Sequence, residues 1–78
     1  MPIIKVSLIE GVFSDDQKRR MQKDLTEAMV AIEGENMRPV TTVVVEEIPS
    51  GQWSIGGKCL TTEAVKEMAA GKKTEKAA

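Results

Sequence analysis

The chain opens on strict alternation. After Met1-Pro2, the run Ile3–Ile9 sets Ile4, Val6 and Leu8 on one side and Ile3, Lys5, Ser7 and Ile9 on the other. That period of two is the signature of a β-strand. Pro2 suits the first strand position, where no ladder N–H is required, and Gly11 ends the pattern. The period then changes. Met21, Leu25, Ala28, Met29 and Ile32 recur at intervals of three and four, which predicts the apolar stripe of an amphipathic helix of roughly twenty residues. Lys18, Arg19, Arg20, Lys23, Asp24 and Glu27 fill its polar arc. Ser14-Asp15-Asp16-Gln17 reads as a capping box with two carboxylates in the first turn, where the helix dipole favours negative charge. Gly34 is placed to stop the helix.

Residues 41–48, Thr-Thr-Val-Val-Val-Glu-Glu-Ile, are rich in β-branched side chains and predict a second strand. Three adjacent valines predict burial on both faces at its centre. Strand, helix and strand in this order make a βαβ unit with parallel strands and a right-handed crossover. Pro49-Ser50-Gly51 ends the second strand, and residues 52–57 form a turn or hairpin. Thr61 or Thr62 caps a short helix over residues 63–70, closed by Gly71. The fold class expected is therefore α/β (α+β), a short βαβ subunit with a C-terminal hairpin and short helix. One domain covers residues 1–71, and residues 72–78 form a small, charged tail expected to be disordered. Two strands and one helix seldom stand alone, so the open sheet face predicts a covering partner chain and assembly through sheets into an oligomer.

Composition narrows the chemistry. The 78 residues include no His, no Tyr, one Cys (Cys59), one Trp (Trp53) and one Phe (Phe13). Imidazole-based triads and His-bearing zinc sites are excluded, and one Cys builds neither an internal disulfide nor a multi-Cys metal site. No cofactor or metal is expected. Cys59 has only Lys58 beside it and reads as a packing residue rather than a thiolate nucleophile. Eleven basic and twelve acidic residues give a net charge of −1, which offers no electrostatic grip on nucleic acid. The apolar stretch Ile3–Ile9 is too short for a signal peptide and is broken by Lys5 and Ser7. No run approaches the ~20 apolar residues of a membrane span. A lone unpaired cysteine fits a reducing compartment, so a cytoplasmic protein is expected.

Several blocks in order carry a resemblance: Met1-Pro2-Ile3, Leu8-Ile9-Glu10-Gly11, Ser14-Asp15-Asp16-Gln17-Lys18, Glu46-Glu47-Ile48, and Gly51-Gln52-Trp53-Ser54-Ile55-Gly56-Gly57. Together they resemble the 4-oxalocrotonate tautomerase family over about residues 2–60. The resemblance implies that Met1 is removed and that the new N-terminal Pro2 is the catalytic base. It also implies dimers with a continuous four-stranded sheet, three of which pack as a homo-hexamer, and a place in the breakdown of aromatic compounds. The chemistry of Pro2 is readable from the residue. An α-amino group titrates near 7.7–8.0, an apolar pocket or a nearby cation lowers that value, and the ring fixes the direction of the lone pair. With Met1 attached, the same nitrogen is a tertiary amide and no base.

Trp53 falls where the family places an aromatic wall of the active site, contributed by a neighbouring subunit; an interface anchor is the plainer role for such a residue. The arginines depart from the family pattern. One is expected just after Gly11, where Val12-Phe13 stand with an apparent one-residue insertion, and another on the second strand, where counting back gives Thr42. Arg38 is the candidate replacement for holding the substrate's carboxylate, although a solvated loop arginine would look the same. Lys5 is a further source of positive charge near Pro2. The expectation is a cofactor-independent keto–enol tautomerase acting on a small 2-hydroxy-dienoate or enol-pyruvate type acid. The alternatives are hydratase, dehalogenase or decarboxylase chemistry on the same proline, and a non-catalytic subunit of a tautomerase-like complex.

Overall fold

A computed structural model describes residues 1–71, so the tail at 72–78 lies outside the described residues. The elements run β1 (Ile3–Ile9), α1 (Asp15–Glu33), a 3₁₀ segment (Glu35–Val40), β2 (Thr42–Ile48), β3 (Trp53–Ile55), β4 (Lys58–Leu60) and α2 (Thr62–Ala69). β1 and β2 form one two-stranded sheet, β3 and β4 another. The hydrogen bonds at the two ends of the first sheet fix its sense. The Thr42 N–H donates to the Pro2 carbonyl at 3.2 Å and the Glu10 N–H to the Ile48 carbonyl at 2.8 Å, so start meets start and end meets end. The strands are parallel, as a βαβ unit demands. The contacts divide the chain into two units, one of residues 1–7 and 13–46, the other of residues 8–12 and those from Glu47 onward.

In the first unit the local signals act as read. Ser14 caps α1: its side chain accepts from the Gln17 N–H at 3.1 Å, and the Gln17 side chain accepts from the Ser14 N–H at 2.8 Å. Gly34, at φ 104°, ends the helix, and its N–H donates to the Val30 carbonyl. The inward stripe, however, is rotated from the one expected. Met21, Leu25 and Met29 are half-buried and Val30 is buried, whereas Ala28 is exposed and Ile32 is 84 % exposed. Apolar residues on both sides of the helix made the stripe's edge ambiguous, and the packing chose Val30. The 3₁₀ segment Glu35–Val40, with Pro39 inside it, has no counterpart among the elements expected from the sequence. β2 starts at Thr42, one residue later than expected.

Along β1 and β2 exposure alternates. Ile4, Val6, Val43 and Val45 are half-buried, and Ile3, Lys5, Ser7, Thr42, Val44 and Glu46 face outward. The expected two-sided burial of the valines is therefore not met within one chain: Val44 is 37 % exposed. One face is covered and the other is open. Among the described residues only Ile9, Val30 and Leu60 are buried apolar side chains, and none is fully buried.

In the second unit, β3 and β4 pair antiparallel with Ile55 opposite Lys58. The two residues between them, Gly56 and Gly57, have φ of 60° and 84°, the positive pair that a tight two-residue hairpin turn requires. α2 starts at Thr62, one residue before the expected 63–70, and the cap is Thr61, whose hydroxyl accepts from the Ala64 N–H. Thr62 does different work. It is buried, its hydroxyl donates to the Glu10 carbonyl at 2.6 Å, and its N–H donates to the Ser50 hydroxyl at 2.9 Å. The Ser50 N–H in turn donates to the Glu10 carboxylate at 3.1 Å. The residues after β1 and after β2 are thus tied to the start of α2 by a small polar knot.

Candidate functional site

Pro2 stands immediately before β1, half-buried, with its carbonyl held by the Thr42 N–H. Its ring nitrogen carries Met1, which is 88 % exposed. In that form the nitrogen is an amide and has no lone pair to lend. Cleaving one exposed residue would convert it to a secondary amine at a place fixed by the first hydrogen bond of the sheet. The position where the family resemblance leads one to expect an arginine is occupied by Thr42, the residue bonded to Pro2. No cation is supplied from there.

Arg38 lies in the 3₁₀ segment that delivers the chain into β2, four residues before Thr42. The exit of that segment is pinned. The Thr41 N–H donates to the Arg38 carbonyl at 3.2 Å, and the Thr41 hydroxyl donates to the Glu33 carboxylate with the Met37 carbonyl 2.8 Å away. The guanidinium is committed to two carboxylates. Nε donates to Glu35 Oε2 at 2.7 Å, Nη2 to Glu27 Oε1 at 3.0 Å and to Glu35 Oε1 at 3.3 Å, and Nη1 to Glu27 Oε2. An arginine has five N–H donors, so these contacts leave one. The pairing has an electrostatic signature: the hydrogen bond from Arg38 holds the Glu27 carboxyl below its ordinary value, and the Glu27 and Glu35 carboxylates raise Arg38 above its own. The group lines a shallow depression of about 420 Å³ with Arg19 and Lys23 of α1, and Pro2 is not among its lining residues.

Trp53 opens β3 and is half-buried, in register with the buried Leu60 of β4. Lys5 is on the outward face of the sheet. The structure thus joins Pro2 to Thr42 directly and places Arg38 on the segment leading to that pair, with its side chain turned to acidic partners. Those partners were missed from sequence. Glu35 was within reach, since it precedes Arg38 by three residues at a helical spacing. Glu27 was not, because its meeting with Arg38 depends on the reversal at Gly34.

Comparison with known proteins agrees with this layout. The family model described as tautomerase enzyme matches residues 2–63. The chain is 31 % identical over 62 residues to a probable tautomerase K2 of Dickeya dadantii (strain 3937), covering 78 % of this chain and 90 % of that protein. Among solved structures it is similar to TomN, a 4-oxalocrotonate tautomerase homologue in the tomaymycin biosynthetic pathway. There the TM-score is 0.69 and the identity 29 %, over 87 % of this chain and 95 % of TomN. It is also similar to the apo form of an unfused 4-oxalocrotonate tautomerase, with a TM-score of 0.67 and 32 % identity over 82 % and 98 % of the two chains. The matched region begins at Pro2 itself and runs through the polar knot at Thr62, and the chain belongs to the tautomerase family.

Proposed function

We propose that this protein is a cofactor-independent keto–enol tautomerase whose general base is the Pro2 nitrogen once Met1 is gone. The observation that carries the reading is a family match starting at Pro2, in a chain where that residue's backbone is fixed by the first bond of the sheet. The substrate class is a small 2-hydroxy-dienoate or enol-pyruvate type acid. Pro2 removes the hydroxyl or α-proton and returns it to the far carbon of the conjugated system, so the reaction is balanced with no other reactant. A secondary amine with a value near neutrality suits both halves of that cycle. Trp53 of a neighbouring subunit contributes an apolar wall that keeps the amine neutral, and the remaining Arg38 donor meets the substrate's carboxylate. The working unit is a homo-oligomer, which also covers the open sheet face.

Replacing Pro2 by Ala tests the reading on phenylenolpyruvate. A fall in kcat/KM of about a hundredfold or more is expected, the typical contribution of a positioned base. A rate equal to that of the unsubstituted protein would remove proline catalysis. A non-catalytic role is the second reading, favoured if Met1 stays attached: an intact mass beginning at Met1 on protein isolated from its own cells would support it.

A further inference from the structure

On the proposed reading Arg38 receives the substrate's carboxylate, yet four of its five donors are spent inside the protein. A bidentate fork, the arrangement by which arginine captures a carboxylate strongly, is not on offer. The charge balance points the same way. One guanidinium against two carboxylates leaves this trio at −1, and only Lys23 stands near Glu27 as a further positive charge, since Arg19 is paired with Asp16. At Thr42, beside Pro2, there is no cation. With Lys23 counted the group is neutral, so an acid with one carboxylate can use the one donor Arg38 has left, whereas the second carboxylate of a dicarboxylate meets no unspent guanidinium donor and no net positive charge.

We propose that Glu27 and Glu35 set substrate specificity by occupying Arg38: they are positioning residues that bias the site toward monocarboxylate and against dicarboxylate acids. The inference rests on the tautomerase reading for its meaning, but it is read out by binding and so is tested separately. Removing both charges would leave Arg38 and Lys23 unopposed on one flank and return the full guanidinium fork to a ligand.

The test compares the affinities of adipate, a dicarboxylate, and hexanoate, its mono-acid, by calorimetry on the chain beginning at Pro2. The unsubstituted protein is measured beside the double variant Glu27→Gln/Glu35→Gln. The adipate-to-hexanoate affinity ratio is expected to rise about tenfold in the double variant, the scale of one regained charge-assisted pair. Adding Arg38→Gln should erase that rise, because the gain belongs to the guanidinium. If circular dichroism shows the double variant unfolded, the single Glu35→Gln variant carries the same comparison with a smaller rise. An unchanged ratio, a rise that survives Arg38→Gln, or no adipate binding in any form overturns the proposal. Turnover of phenylenolpyruvate, with kcat and KM separated, is followed alongside. Its absence in the unsubstituted protein would count against the tautomerase reading and leave the affinity ratio to decide this one.

Discussion

Pro2 concentrates the chemistry in one atom whose character depends on a single peptide bond. An N-terminal secondary amine is a base near neutral pH, and the same nitrogen acylated by Met1 is not. The sign of the pH dependence follows. Proton abstraction needs the neutral amine, so kcat/KM for the enol should rise with pH through the Pro2 value and then level. A hydratase or decarboxylase that uses the proline as a charged acid should instead fall across the same range. The polar knot at the other unit gives a second residue-scale prediction. Gly11 has φ of 81°, and a Cβ there would lie 3.0 Å from Thr62 Cγ2. Gly11→Ala should cost about 1–3 kcal/mol, from the left-handed backbone and the crowding of a buried side chain, read as a drop in the urea midpoint. Pro2, Trp53 and Arg38 were all legible as candidates from the sequence, but the occupancy of Arg38 was not. Hydrogen-bond partners brought together by a chain reversal leave no periodicity to read.

Among the elements, those defined by short-range rules were legible. The alternation from Ile3 to Leu8, the capping box at Ser14 and the stop at Gly34 each depend on neighbours a few residues away, and each holds in the structure, whereas Ile9, expected on the side of Ile3, is buried. The choice of Val30 over Ile32 for the inner side of α1 depends on what the helix rests against, which the sequence does not print. Ser14→Ala removes the acceptor for the Gln17 N–H and should lower stability by about 1 kcal/mol, measured by thermal denaturation. The link from the 3₁₀ segment to α1 carries its own pH dependence. Arg38 holds the Glu27 carboxyl below its ordinary value, so the stabilisation is complete above the range in which an unfolded glutamate titrates and is lost as pH falls through the depressed value. The melting temperatures of the unsubstituted protein and Glu27→Gln should therefore converge as pH drops below about 4.3.

For the whole molecule, the small core is the controlling fact. Three buried apolar side chains among the described residues are few for a chain that must offset its own ordering, and the outward sheet face leaves Ile3 61 % and Val44 37 % exposed. Ile32 and Ile55 are exposed as well. On the proposed reading assembly covers these side chains, and with one Trp and one Phe the chain has few aromatics to fill a larger core of its own. Placing a charge in the sheet face with Val44→Asp should shift the protein to a smaller species in sedimentation. It should also make its melting temperature fall more steeply on dilution, because stability is then linked to association.

On the proposed reading, catalysis begins with the amine freed at Pro2. The most direct measurement compares one chain with itself: kcat/KM on phenylenolpyruvate before and after Met1 is removed, with both forms verified by intact mass. Activity should be at background with Met1 attached and rise at least about a hundredfold when Pro2 becomes the first residue. Equal activity in the two forms would contradict the account, because the only atom that changes character between them is the one assigned as the base.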